Sequence, residues 1–188
     1  MDEGVLFESK LAWLRWLETH HTDTQNLWLK IAKKNSGAES VTYAEALDIA
    51  LCFGWIDGQK RPFDERFFLQ RFSIRGKNSI WSKINREKVL VLTEAGEMRP
   101  QGLAEVERAK ANGRWDAAYD GSKTIQVPKD LEVALVANPK ARAFFKTLNA
   151  QNRYAILFRI GNVKKAETRA HNIAKFVAML EQGKTIYP

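Results

Sequence analysis

The chain holds one cysteine, three histidines and five prolines in 188 residues. A single cysteine excludes a disulfide framework and any zinc site built on thiolates. Two of the histidines are adjacent, His20-His21, and no third ligand stands at metal-site spacing, so neither a metal nor another cofactor is expected. Long apolar runs are missing as well, and nothing approaches the roughly 18 uninterrupted apolar residues of a membrane span. The opening Met1-Asp2-Glu3-Gly4 is acidic where a secretory leader is basic, and Arg15 interrupts the stretch from Leu11 to Leu17. On these grounds the protein is expected in the cytoplasm, with Cys52 as a reduced thiol in an apolar helix end. There is no glycine-rich phosphate loop, no Gly-x-Ser-x-Gly elbow and no metalloprotease histidine pair. No catalytic residue is assigned.

What is present is a globular composition, 45% hydrophobic and 28% charged, with a formal net charge of +8. That charge is unevenly placed. Residues 59–88 carry nine basic side chains against three acidic ones, and residues 140–175 carry nine against one. Residues 1–58 are acidic overall, with five basic and nine acidic groups. Two basic blocks on a slightly acidic chain either coat helix faces or form a surface for phosphates and other anions.

Periodicity supplies the elements. Trp13, Trp16 and Leu17 recur at helical spacing within 9–19, behind Ser9 as N-cap. Leu27, Leu29 and Ile31 alternate as a half-buried strand does. Thr42-Tyr43-Ala44-Glu45 fits a capping box opening a helix that Gly54 ends in a left-handed cap. Residues 55–60 and 66–74 read as paired strands, with an Asp57-Gly58 turn as a competing register. Helices are then expected from Ile80 to Ala95 and from Gly102 to Asn112. Residues 114–127 read as an ordered linker, and Pro128 opens helices over about 129–137, 139–148, 151–160 and 164–182. The expected class is α+β: a small antiparallel sheet packed with helices over 1–113, then a helical C-terminal third over 128–188.

The densest polar cluster is Trp55, Asp57, Lys60, Arg71, Arg75, Trp81, Ser82 and Asn85. Arginine offers a planar fork to carboxylate or phosphate, and tryptophan a stacking face. Two readings compete. In one the cluster is a pocket for an anionic small molecule or an acidic protein segment; in the other it is a structural ion-pair network. An enzymatic alternative makes Asp57 the acid or base acting on such an anion. A third places nucleic acid on the blocks 59–88 and 140–175.

Several runs also carry a family resemblance. They are Val41-Thr42-Tyr43-Ala44-Glu45-Ala46-Leu47-Asp48, Phe53-Gly54-Trp55-Ile56-Asp57-Gly58, and Gln70-Arg71-Phe72-Ser73 with Arg75. Ser79-Ile80-Trp81-Ser82-Lys83-Ile84-Asn85, Val127-Pro128-Lys129-Asp130-Leu131 and Lys165-Ala166-Glu167-Thr168-Arg169 continue them. Together they resemble the YdeI/OmpD-associated proteins, the OmdA or bacteriocin-protection family. His171-Asn172 stands where such proteins often have two arginines, and Ile74 where proline is common. The resemblance implies a bacterial protein linked to porin association and antimicrobial-peptide resistance, sometimes periplasmic. It supplies no catalytic residues.

Overall fold

A computed structural model describes residues 3–188, and several of its helices start where a side chain caps the first turn. Helix α1 (Lys10–His20) begins at Ser9, whose hydroxyl accepts from the Ala12 amide. Helix α2 (Tyr43–Cys52) carries the full capping box: Thr42 accepts from the Glu45 amide and the Glu45 carboxylate accepts from the Thr42 amide. Gly54 follows at φ +75°, in the left-handed region where a side chain is disfavoured. Contacts divide the chain into two units, the first ending at Ala118 and the second running Tyr119–Pro188.

The first unit is built on four strands, β1 (Val5–Leu6), β2 (Asn26–Ala32), β3 (Trp55–Pro62) and β4 (Phe67–Ile74), in the order β1-β2-β4-β3. Pairings β2–β4 and β3–β4 are antiparallel, whereas β1 lies parallel to β2. The sheet is therefore mixed rather than purely antiparallel. A two-residue strand is too short to show alternation, which is why β1 leaves no trace in the sequence pattern.

Asp57-Gly58 forms no turn. It lies inside β3, where Asp57 faces Phe72 but Lys60 already faces Gln70, so one extra β3 residue is accommodated as a bulge. The buried Gln70 amide holds that irregularity, donating to the carbonyls of Gly58 at 3.0 Å and Gln59 at 3.3 Å. Leu27, Leu29 and Ile31 of β2 oppose Phe72, Gln70 and Phe68 of β4 on the inner face. This face joins Trp13, Leu17, Ala46, Leu47 and Ala50 of α1 and α2 in the first core. Trp13 is fully buried, its ring 5.4 Å from that of Trp16 and its indole N–H donated to Ala46 O.

Helix α3 (Lys83–Glu94) starts three residues later than its apolar pattern suggests. Ser82 is the reason: its hydroxyl accepts from the Asn85 amide at 3.1 Å, while Ile80 and Trp81 stay outside the helix before it. Helix α4 (Pro100–Ala111) begins two residues early, with Pro100 in the first turn where its missing N–H costs nothing.

The second unit is helical, with α5 (Lys129–Ala137), α6 (Pro139–Thr147), α7 (Ala150–Gly161) and α8 (Ala166–Glu181). Leu131, Leu135, Phe145, Ile156, Leu157, Ile160, Phe176 and Leu180 form its core. Asn138 and Asn149 cap α6 and α7. The buried Asn152 accepts from the amides of Ile186 and Tyr187, pinning the C-terminal tail. The class is α+β, with helices alone in the C-terminal part. Among the described residues no helix is long and apolar enough to cross a membrane.

Candidate functional site

The eight clustered residues do not share one surface. Trp55 is fully buried, donating its indole N–H to His21 O and meeting the rings of Trp13 and Trp16 edge-on. Asp57 lies on the inner face of the sheet, where its carboxylate accepts from the Tyr43 hydroxyl at 2.8 Å. Tyr43 lines a cavity of about 490 Å³ with Glu8, Glu39, Thr42 and Phe68. Lys60 is exposed on the same side, its ammonium 3.9 Å from the Phe68 ring centre.

Arg75, Trp81, Ser82 and Asn85 follow the end of β4, and all four are buried. The Arg75 guanidinium lies 3.6 Å from the centre of the Trp81 ring and donates to Ile80 O at 3.3 Å. Its own amide donates to Gly54 O, joining the end of β4 to the start of β3. Trp81 packs edge-on against Trp115, whose carbonyl accepts from Arg86. Arg108 donates to the carbonyls of Arg75 and Gly76 and pairs with Glu105. These residues join β4 to α3 and α4 through buried contacts.

Arg71 stands apart from Asp57. Paired residues of an antiparallel ladder share a face, so Asp57 goes with Phe72 to the inner side and Arg71 to the outer. There Arg71 lies directly across from Trp28 and donates its Nε–H to Asn26 Oδ1 at 3.2 Å. Arg61 of β3 reaches over the same indole, its guanidinium carbon 4.2 Å from the ring centre. Lys30, two residues along β2, places its ammonium 4.6 Å from the ring of the exposed Phe63. The outer face thus gathers three cations and two aromatic rings. Trp28, Lys30 and Arg61 were not in the sequence cluster. The signal for Trp28 and Lys30 was the alternation of β2 itself: if Leu27, Leu29 and Ile31 point inward, a tryptophan and a lysine are left on the other side.

The second basic block is partly engaged in holding its own unit together. Arg169 forks onto Asp130, Nε to Oδ2 at 2.6 Å and Nη2 to Oδ1 at 3.0 Å, and donates from Nη1 to Ile160 O. Arg153 covers the Phe145 ring and Arg159 lies beside Tyr187. Arg169 holds the Asp130 carboxyl below the usual carboxylate range through these hydrogen bonds. A carboxyl whose folded value is depressed stabilises the fold above its unfolded value, and loses that contribution as pH falls through the folded value. Asp130 is nearly half exposed, so solvent screening limits the pair to about 1 kcal/mol. Asp130→Asn is expected to lower the melting temperature at pH 7, with the gap to the parent closing toward pH 2. A gap independent of pH would show that the charge is not what matters.

Burial pushes the Cys52 thiol up to about 11, so it is neutral at physiological pH and a poor nucleophile.

Comparison with known families divides the chain in a similar way. Residues 5–105, just over half the chain, match a domain of unknown function, DUF8412. Residues 124–183 match the family described as bacteriocin-protection, YdeI or OmpD-associated. The motif runs between Val41 and Asn85 fall in the first match; those at Val127–Leu131 and Lys165–Arg169 fall in the second. The two runs in the second match are the ones joined by the Asp130–Arg169 fork. Searches of curated proteins and of solved structures find no match.

Proposed function

The chain belongs to the DUF8412 family through its first unit and carries a bacteriocin-protection, YdeI or OmpD-associated segment in its second, and on that premise we propose a binding protein that takes a polyanionic partner on the outer face of its sheet. The observation that carries this reading is the arrangement around Trp28: Arg71 across from it, Arg61 over it, and Lys30 two residues along the same strand. Three cations on one side of one sheet raise the local potential for an anion far more than the same charges scattered over helices. The first basic block contributes two of the three, and its surplus of six positive charges favours the same ligand class.

Inorganic polyphosphate is a suitable probe because it offers charge without any other chemistry. Binding is expected to weaken as a power of salt concentration, each engaged cation adding about one to the slope. Arg61→Ser and Arg71→Ser together are expected to reduce affinity about tenfold and lower the slope by about two, with the melting temperature little changed. Unaltered affinity in that double variant would overturn the assignment to this face. Absence of any polyphosphate binding at low salt would overturn the polyanion reading.

A further inference from the structure

We infer that the polyanion is single-stranded nucleic acid, its bases stacked on the two cation–aromatic pairs of the outer face and its phosphates held by Arg71 and the neighbouring cations. This rests on the polyanion reading above and goes further by naming the ligand.

A site for bare negative charge has no use for aromatic rings, and this face carries two of them, each with a cation over it. Trp28 is half-buried, with Arg61 4.2 Å from its ring centre; Phe63 is exposed, with Lys30 4.6 Å from its centre. A guanidinium plane and an indole are both surfaces on which a nucleobase stacks, and such stacking tolerates any base because every base has a π-face. The spacing suits a strand of nucleotides. Same-face neighbours on one β-strand are about 7 Å apart, so Trp28 and Lys30 are separated by about one step of an extended single strand. Arg71 lies across the ladder from Trp28, close enough to take the phosphate of a base stacked there. Its Nε–H already donates to Asn26, which fixes the guanidinium in place.

A duplex would leave this arrangement idle, because its bases are already stacked on one another. Single-stranded ligand exposes both the π-faces and the phosphates. Cations and rings dominate this face, which predicts weak sequence preference.

The experiment measures fluorescence anisotropy of the full chain at low salt. The ligands are an oligothymidylate of about twelve nucleotides, an abasic strand of equal length, a duplex of the same sequence and inorganic polyphosphate of matched charge. The oligothymidylate is expected to bind at least tenfold tighter than the abasic strand, and tighter than the duplex. Trp28→Ala is expected to remove about tenfold of the oligothymidylate affinity while leaving polyphosphate binding within twofold. Trp28→Phe, which keeps a ring, is expected to recover most of the loss and shows that the fold is intact. Equal affinity for the oligothymidylate and the abasic strand would overturn base stacking and leave the polyanion reading standing. So would a duplex bound as tightly as the single strand and insensitive to Trp28→Ala. Failure of every ligand, polyphosphate included, would overturn both.

Discussion

Replacing Arg75 by alanine is expected to destabilise the first unit by about 3 kcal/mol, with polyanion binding on the sheet unchanged once the protein is folded. Arg75 is 3% exposed, and its guanidinium lies 3.6 Å from the centre of the Trp81 ring while donating to Ile80 O. A desolvated cation–π contact contributes about 2 kcal/mol, a hydrogen bond from a charged donor about 1.5–3, and the truncated side chain leaves a hole beneath Trp81. Against these stands the desolvation of a buried charge, which removal relieves. Two further variants separate the contributions. Arg75→Lys is expected to recover little, because an ammonium has no plane to lay on the indole. Arg75→Met is expected to be the mildest of the three, since it fills the space without burying a charge. Urea unfolding measures all of them. If Arg75→Ala lowers ligand affinity tenfold without lowering stability, Arg75 belongs to the binding machinery and not to the packing.

Gly102→Ala is expected to cost about 2–3 kcal/mol, although alanine normally improves a helix over glycine. A Cβ at Gly102 would overlap the Cys52 carbonyl oxygen, at the point where the start of α4 meets the end of α2. That carbonyl also accepts from the Arg99 amide at 3.0 Å, so α4 closes off the C-terminus of α2 and has no freedom to retreat. Gly54 makes the same approach from the other side: a Cβ there would lie 2.8 Å from Glu105 Cγ and 3.1 Å from Gln101 O. Gly161 at the end of α7 is the control, having nothing within 4 Å of the equivalent position. Gly161→Ala is expected to be neutral or stabilising by up to about 1 kcal/mol. Equal effects at Gly102 and Gly161 in thermal unfolding would show that the helices do not need this close approach.

The candidate cluster illustrates where sequence reasoning stops. Trp81, Ser82 and Asn85 stand at short spacing after Arg75 in the cluster; Trp81 does lie against the Arg75 guanidinium, and Ser82 accepts from the Asn85 amide. Spacing carries no information on depth, however, and these four side chains are all inside the protein. Asp57 and Arg71 were grouped by proximity in sequence and type of charge, yet the ladder separates them onto opposite faces. Arg169 looked like one more cation in a basic block. Its fork onto Asp130, 39 residues earlier, depends on how α8 packs against α5.

By itself the sequence determined the features that act over a few residues. Ser9 and Thr42 stand where they accept from the first amides of helices, and Leu27, Leu29 and Ile31 alternate so that one side of their strand is apolar. These are short-range consequences of hydrogen bonding and side-chain period, and they hold whatever the chain does elsewhere. Tertiary structure alone decided which residues meet. A strand shifted by one position turns every side chain to the other face, and β3 contains such a shift, the bulge between Asp57 and Lys60. That single extra residue is invisible in composition and period. The pairing on either side of it sets Asp57 against Tyr43 on the inner face and brings Arg61 over Trp28 on the outer one.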